Sequence, residues 1–319
     1  MAIVYGANYG RPTLDLNFAK NKSLIDTVSG QNLVTFSRAQ ANYLTTYVGA
    51  DGLIKYASAD EPRFDHNPLT GESLGLLIEE QRTNRATYSV ISTTGWSAVD
   101  GASITNNQAI APDGSLTAAL ITFPGSSVPR IASFTQFASG NHTISVWIKA
   151  KTGTVTIRIG NGNDYGVDQT VGTTWTRISY VSSAGSSSAG IYCPSFVSPV
   201  EFYAWGFQEE AGSFATSLIP TSGSTVTRSA DQASITGTNY SSRINLNEGT
   251  WFASVPNPSS TGGRIFDSRA STLYASANSS GYSYASSGAV QINTTYPLKS
   301  AVVYNSSDVH AAANGILNT

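Results

Sequence analysis

The chain has almost no sulfur and little charge. Of 319 residues one is cysteine, Cys193, one is methionine, and charged side chains make up 12%, about half the ~25% usual in globular chains. A single cysteine excludes an intrachain disulfide and a zinc–thiolate site, so Cys193 reads as a small buried hydrophobe and the chain suits assembly in a reducing cytoplasm. The three histidines, His66, His142 and His310, show neither H-x-x-H nor H-E-x-x-H spacing, which gives zinc catalysis no support. Lys and Arg total 18 against 20 Asp and Glu, for a net charge of -2, and they form no basic cluster, so the footprint for nucleic acid is missing. No apolar run has membrane-spanning length, and the opening residues show neither a basic nor an apolar targeting region, so no membrane insertion and no secretory signal are expected. There is no G-x-S-x-G elbow, phosphate-binding loop or dinucleotide fingerprint. No cofactor is expected, and no catalytic residue is nominated.

What is present is the composition of an all-β protein: 40% hydrophobic residues, 29 glycines and abundant Ser, Thr and Asn between short alternating runs. Three blocks follow. Residues 1–85 hold short candidate strands around Leu14, Leu16 and Phe18, at 33–36, and on both sides of the loop 49–52, whose length and composition read as a hairpin. This block has too few strands for a large core and is expected to be a docking segment. Residues 86–220 are the best-formed domain. The run TISVWIKA (143–150) sets Ile144, Val146 and Ile148 on one face and Ser145, Trp147 and Lys149 on the other, and 154–159 alternates again before a turn at 161–164. Further strands at 175–180 and 200–207 make this block a β-sandwich or jelly roll. Residues 221–230 read as an extended linker, and 231–319 as a third block with strands at 231–235, 249–253, 263–266, 282–284 and 300–304.

Residues 62–84, PRFDHNPLTGESLGLLIEEQRTN, combine turn formers at Asn67-Pro68 and Thr70-Gly71 with a short apolar strand at 74–78 and a charged end. Adjacent Glu79 and Glu80 point to opposite faces of an extended chain, so they cannot work as an acid/base pair. Asp65, His66, Glu72, Glu79 and Glu80 are therefore read as a polar rim that fixes how the segment docks on a neighbour, in preference to a catalytic cluster. The segment resembles a signature of tailed-bacteriophage virion proteins, R-F-D-x-x-P-x-T-G-x-x-x-G-L-L-x-E-x-x-R-T-N, matched at Arg63, Phe64, Asp65, Pro68, Thr70, Gly71, Gly75, Leu76, Leu77, Glu79, Arg82, Thr83 and Asn84. That resemblance implies a tail-fibre or head-spike-fibre type of component on the particle surface, self-associating as a homotrimer and docking on other virion proteins. Arg63, Phe64, Asp65, Glu79 and Arg82 are the docking candidates.

A second motif, W-G-x-Q-x-E-x-G-x-x-A-T-S-x-I-P-T, is matched by Trp205, Gly206, Gln208, Glu210, Gly212, Ala215, Thr216, Ser217, Ile219, Pro220 and Thr221. It resembles the last strand and exit peptide of carbohydrate-binding jelly rolls, with Glu209 a departure where an apolar residue is common. The third block resembles the opening strands of a concanavalin/laminin-G-like sandwich, with too few residues to complete it, so the natural polypeptide is expected to continue past Thr319. Sugars present apolar C–H faces and polar rims, so a glycan site needs an aromatic platform beside hydrogen-bonding groups. Trp147, with Lys149, Arg158 and Tyr165, is the candidate site, while Trp147 could instead cover its sheet against another domain or subunit. Asn161, Asn163 and Asp164 offer oxygen ligands for calcium, though an Asx/Gly turn looks the same without metal. The expected function is a non-enzymatic virion component adhering to host-surface glycan. The alternatives are a polysaccharide depolymerase, which would need two convergent carboxylates, and a capsid-decoration protein without ligand.

Overall fold

The computed structural model describes residues 12–39, 44–125, 129–137, 140–194, 199–245 and 247–255, and thereafter the strands at 263–267, 274–278, 281–286, 288–292, 298–304, 309–313 and 316–318. The fold is all-β, 47% strand and 4% helix. Among the described residues no helix is long and apolar enough to cross a membrane. The chain divides into two compact units, one comprising Asn17–Leu24 and Val34–Ser234, the other Met1–Leu16, Ile25–Leu33 and Ile235–Thr319.

The first unit opens with a short helix α1 (Phe18–Asn21) and β1 (Thr35–Ser37), β2 (Thr45–Val48), β3 (Ile54–Ala57), β4 (Arg63–His66), β5 (Ser73–Leu77) and β6 (Arg82–Asn84). The strand expected around Leu14, Leu16 and Phe18 is not formed; Asn17 caps α1 by accepting from the Lys20 N–H instead. Then come β7 (Trp96–Val99), β8 (Ser103–Ala109), β9 (Ala118–Phe123), β10 (Arg130–Phe137), β11 (His142–Ala150), β12 (Val155–Asn161), β13 (Gln169–Val171), β14 (Thr176–Ser182), β15 (Ser186–Tyr192), β16 (Val200–Ala211), β17 (Val226–Arg228) and β18 (Gln232–Ser234). Two five-stranded antiparallel sheets, ordered β13-β12-β15-β10-β7 and β14-β11-β16-β9-β8, form the sandwich. Ile131, Ile157, Ile159 and Ile191 from the first sheet and Ile121, Ile144, Ile148, Phe202 and Phe207 from the second make one core, each at 0% exposure. Full burial of each such side chain contributes roughly 1.5–3 kcal/mol.

The remaining strands lie in two-stranded ribbons: β2–β3 across the expected 49–52 loop, β4–β5, β6–β17 and β1–β18. The hairpin β2–β3 is tied to the sandwich by the Ile54 N–H donating to the Pro112 carbonyl at 2.9 Å. Ile54, Ala111, Ala118, Trp205 and Leu218 form a second small core, with Trp147 and Trp175 against it. Residues 221–230, expected as a linker, contain β17 in register with β6 (Arg228 opposite Arg82). The strand expected at 231–235 is β18, which returns to pair with β1 and so belongs to the sandwich unit, not to the third block.

The second unit contains a short helix α2 (Gly237–Ser241) and β19 (Gly249–Val255), β20 (Gly263–Asp267), β21 (Tyr274–Asn278), β22 (Gly281–Ser286), β23 (Gly288–Ile292), β24 (Leu298–Tyr304), β25 (Val309–Ala313) and β26 (Ile316–Asn318). They form two four-stranded antiparallel sheets, β19-β24-β25-β26 and β20-β21-β22-β23. The expected strands at 249–253, 263–266, 282–284 and 300–304 fall in β19, β20, β22 and β24. The turn at Asn314-Gly315 lies outside the described residues.

The facing of β16 is set by one glycine. Ser145 pairs with Gln208 but Trp147 pairs with Trp205, so β16 carries an extra residue, and Gly206 in between has φ +67. This bulge inverts the alternation: Phe202 and Ala204 face the core before it, Phe207 after it. A Cβ on Gly206 would stand 2.7 Å from the Trp147 ring. Gly206→Ala is therefore expected to lower unfolding free energy by about 2–4 kcal/mol, from the left-handed backbone and the ring contact together, measured by urea denaturation. Wild-type stability in that variant would show that the bulge tolerates a side chain.

Candidate functional site

The two motifs meet in one buried ionic joint. Arg63, fully buried on β4, pairs through Nη1 with Glu79 Oε2 at 2.8 Å and through Nη2 with Asp231. Arg228 Nη1 reaches the same Glu79 oxygen at 2.9 Å, and Arg38 Nη1 reaches Asp231 Oδ1 at 2.9 Å. The remaining guanidinium donors go to carbonyls: Arg63 to Thr46, Arg228 to Glu80, Arg38 to Ser58 and Glu61. Glu79 also accepts from the Ser217 N–H at 2.7 Å and the Ser217 hydroxyl at 2.6 Å, which fastens the exit peptide. Burial pushes the Glu79 carboxyl up, but Arg228, Arg63 and Ser217 outweigh it and hold it at about 2. Glu80 points the other way, its side chain 56% exposed, against Arg82.

The polar residues of the second motif serve the same joint. Gln208 accepts from the Ile219 N–H at 2.7 Å and donates to Glu210 at 2.7 Å, while Glu210 accepts from the N–H and hydroxyl of Thr216, both at 2.7 Å. Asn84, closing the first motif, donates to the Ile219 carbonyl at 2.9 Å. Trp147 sits inside this layer: Arg177 stacks over its ring at 4.3 Å, and Trp205 meets it edge-on at 5.7 Å. Burial pulls the Arg177 guanidinium down from its ordinary range, opposed by Glu210 and Glu79.

Arg63, Glu79 and Arg82 are turned into their own chain, and Asp65 is half-buried and accepts from the Val48 N–H at 2.7 Å, so with Phe64 half-buried beside them these residues dock residues 62–84 on the sandwich of the same molecule. Trp147 is half-buried, with one face under Arg177 and its edge on Trp205. Lys149 shares its sheet face, half-buried, whereas Arg158 and Tyr165 belong to the opposite sheet. The four glycan candidates therefore do not form one site.

Arg158 and Tyr165 do meet, around a residue that the alternation did not single out. Register places Arg158 of β12, Tyr192 of β15 and Arg130 of β10 side by side, with strand spacings of about 5 Å. Tyr165, 53% exposed, lies against Tyr192 with ring centroids 4.8 Å apart. Arg158 Nε pairs with Asp168 at 2.5 Å and Arg130 Nη1 with Asp100 at 2.8 Å. Burial, then the neighbouring Tyr165, raises the Tyr192 phenol above its usual range, so it stays a hydrogen-bond donor. The next row across the sheet is Gly160, Gly190, Ala132 and Ser97, which leaves low relief beside the tyrosines. The 162–166 loop can fold back on Gly160 because that residue has no side chain: a Cβ there would stand 2.8 Å from the Tyr165 Cα.

The supposed calcium ligands form the base of this loop. Asn161 is buried, donates to Ala184 O at 2.7 Å and accepts from the Asn163 N–H at 2.9 Å. Asn163 donates to Gly185 O. Asp164 accepts from Ser182 Oγ at 2.7 Å and from the Tyr180 hydroxyl at 2.9 Å; burial raises its carboxyl, but these hydrogen bonds, with Gly166 and His142, leave it below the ordinary range. The Asn161 and Asp164 side-chain oxygens accept from protein donors, so these residues build a hydrogen-bonded turn. Among the described residues no group of three or more His, Cys, Asp or Glu is placed to hold a metal.

No protein-family model matches the chain, and no curated protein sequence matches it significantly. Among solved structures it is similar to the CBM22-1 xylan-binding domain of Xyn10C from Paenibacillus barcinonensis, with 17% identity, 42% of this chain and 94% of that one covered, and a TM-score of 0.31. It is similar to a family 11 carbohydrate-binding module from Clostridium thermocellum in complex with a β-1,3-1,4-mixed-linked tetrasaccharide, at 11% identity, 43% and 99% coverage and a TM-score of 0.29. The enzymatically active domain of tailspike protein 4 from bacteriophage CBA120 aligns at 15% identity over 40% of this chain and 21% of that one, with a TM-score of 0.28.

The Glu79 carboxyl makes the joint acid-sensitive. Its folded value of about 2 lies below the ordinary 4.5, so its contribution, on the order of 3 kcal/mol, is complete above about pH 4.5 and is lost as pH falls towards 2. Burial acts oppositely on Asp65, whose carboxyl is raised, and which favours the fold at low pH. Denaturant titrations from pH 7 to 2 should show the loss in the wild type and a flatter acid limb in Glu79→Gln, with Arg63→Met about 3–5 kcal/mol less stable at pH 7. An acid limb unchanged by Glu79→Gln would refute the assignment.

Proposed function

We propose that this protein is a non-enzymatic component of a tailed-phage particle, a fibre, baseplate or capsid appendage, that holds host-surface glycan on the outer face of the β13-β12-β15-β10-β7 sheet. The observation that carries the glycan reading is the Tyr165–Tyr192 pair flanked by two arginine–aspartate pairs. The exposed Tyr165 ring, backed by the buried Tyr192, offers an apolar surface for sugar C–H groups, and each ion pair offers a donor and an acceptor for hydroxyls. The particle assignment is supported by the virion-type pattern of residues 62–84. Homotrimeric self-association would present the face in several copies, so weak single sites would suffice through avidity. Asp168 and Asp100, the carboxylates of the two flanking pairs, are each held by an arginine, which suits binding better than the paired acid and base of a glycosidase.

Binding of purified host-surface polysaccharide, followed by calorimetry, is expected to weaken about tenfold or more in Tyr165→Ala and less in Arg158→Ala, at unchanged melting temperature. Trp147→Ala should lower stability and leave the affinity of the folded fraction intact. Undiminished binding by Tyr165→Ala would sink the site, and release of reducing ends at high protein concentration would sink the non-enzymatic assignment.

A further inference from the structure

The sheet face that carries the tyrosine pair is poor in charge. The five strands β7 (WSAV), β10 (RIASFTQF), β12 (VTIRIGN), β13 (QTV) and β15 (SSSAGIY) hold two charged residues between them, Arg130 and Arg158. Register puts both on the outer face in one row, one on each side of Tyr192, two strand spacings or about 10 Å apart. Each is offset by an aspartate from an adjoining loop, Arg158 Nε by Asp168 Oδ1 at 2.5 Å and Arg130 Nη1 by Asp100 Oδ2 at 2.8 Å. A third carboxylate, Asp164, belongs to the turn that delivers Tyr165 and is held by the hydroxyls of Ser182 and Tyr180. The lysine that precedes β12, Lys151, is paired with Glu201 of the other sheet at 2.7 Å. Around the tyrosine pair, two cations thus stand against three carboxylates.

A neutral sugar and an acidic one meet such a face differently. A hydroxyl both donates and accepts, so two neighbouring hydroxyls of a sugar can accept from the arginine and donate to the aspartate of one pair while the pair stays intact. A uronate carboxylate only accepts. To reach an arginine it must displace an aspartate, and it then leaves two negative charges side by side, an arrangement that discriminates against the ligand that creates it. We infer that this face selects neutral glycan chains, received across the strands by both arginine–aspartate pairs, and that Asp168 and Asp100 are the specificity-determining residues that turn acidic sugars away. The inference rests on the proposed glycan reading and names its substrate class. Arg158–Asp168 is the pair to alter, because its side chains are 34% and 54% exposed and an exposed pair adds little to stability. The Asp168→Asn change keeps an acceptor and removes the charge, which opens Arg158 to a carboxylate from the ligand.

The test is an array of purified bacterial-surface polysaccharides, neutral and uronate-bearing, read with the full chain at low and at high ionic strength. The wild type should be retained on neutral polymers, by an interaction that Tyr165→Ala weakens and that added salt leaves in place. Asp168→Asn, at unchanged melting temperature, should gain about fivefold on the uronate-bearing polymers, and salt should erase the gain. The Arg158 Nε–H resonance should shift on addition of galacturonate in Asp168→Asn and stay fixed in the wild type, which a purely structural role for Asp168 would not produce. Wild-type retention on uronate-bearing polymers ahead of neutral ones overturns the inference, as does an Asp168→Asn variant whose preference between the two classes is that of the wild type. If that acidic retention is lost in Tyr165→Ala, the glycan reading survives and only the choice of substrate class falls. Retention on no polymer of either class removes the glycan reading, and the inference with it.

Discussion

Three arginines and two carboxylates, drawn from residues 38, 63, 79, 228 and 231, are buried together, and the sandwich unit depends on their being assembled at once. Taking a charge out of water costs several kcal/mol unless it is paired and its remaining hydrogen bonds are met. Arg63 meets this condition only when β4, residue 79, residue 231 and the Thr46 carbonyl are all in place. A slip of one residue in any of these segments would leave a buried guanidinium or carboxylate uncompensated. The net favourable term in folding comes from the isoleucine and phenylalanine core, at roughly 1.5–3 kcal/mol per side chain. The ionic joint selects the one arrangement of the ribbons in which that core can form without stranded charge.

Because the joint fastens residues 44–66 and 215–231 over the outer face of the β14-β11-β16-β9-β8 sheet, that face is spent on intramolecular packing. Ser145 is fully buried there, and Trp147 is shared between Arg177 and Trp205. The opposite sheet pairs its charges at its surface: Arg158–Asp168 and Arg130–Asp100 each keep a third or more of their side chains exposed. Exposed pairs of this kind add little stability. Their groups are available to a ligand, whereas those of the joint are not.

Period-two alternation made β11, β12, β14 and the inward isoleucines legible, because polarity along a strand reports its two faces. It did not report what lies beyond the polar face. The burial of β11 on both sides arises from residues some eighty and seventy positions away, and alternation carries no information at that range. Strands β8 (SITNNQA) and β15 (SSSAGIY) escaped notice because one is polar on both faces, as an edge strand can be, and the other contributes Ser and Gly to the low-relief row. Glu79 and Glu80 were legible as opposed in direction. That Glu79 meets two arginines was not, since its partners come from positions 63 and 228. The Glu209 departure was the one local sign of an unusual core position, and Gly206, three residues before it, sits at the bulge that turns it inward.

Arg158 and Tyr165 were legible as chemistry but not as a place, because the residue that joins them, Tyr192, ends a strand with little alternation. Registration of β12, β15 and β10 puts it between two arginines, and the glycine at 160 lets the loop deliver Tyr165 onto its ring. The platform is thus made by backbone geometry before any side chain is chosen. A bulky residue at Gly160 would collide with the 164–165 backbone, so the loop and the tyrosine pair would be lost together even with both tyrosines retained. The aromatic face of this protein is in that sense a property of its glycines, as the facing of β16 is a property of Gly206.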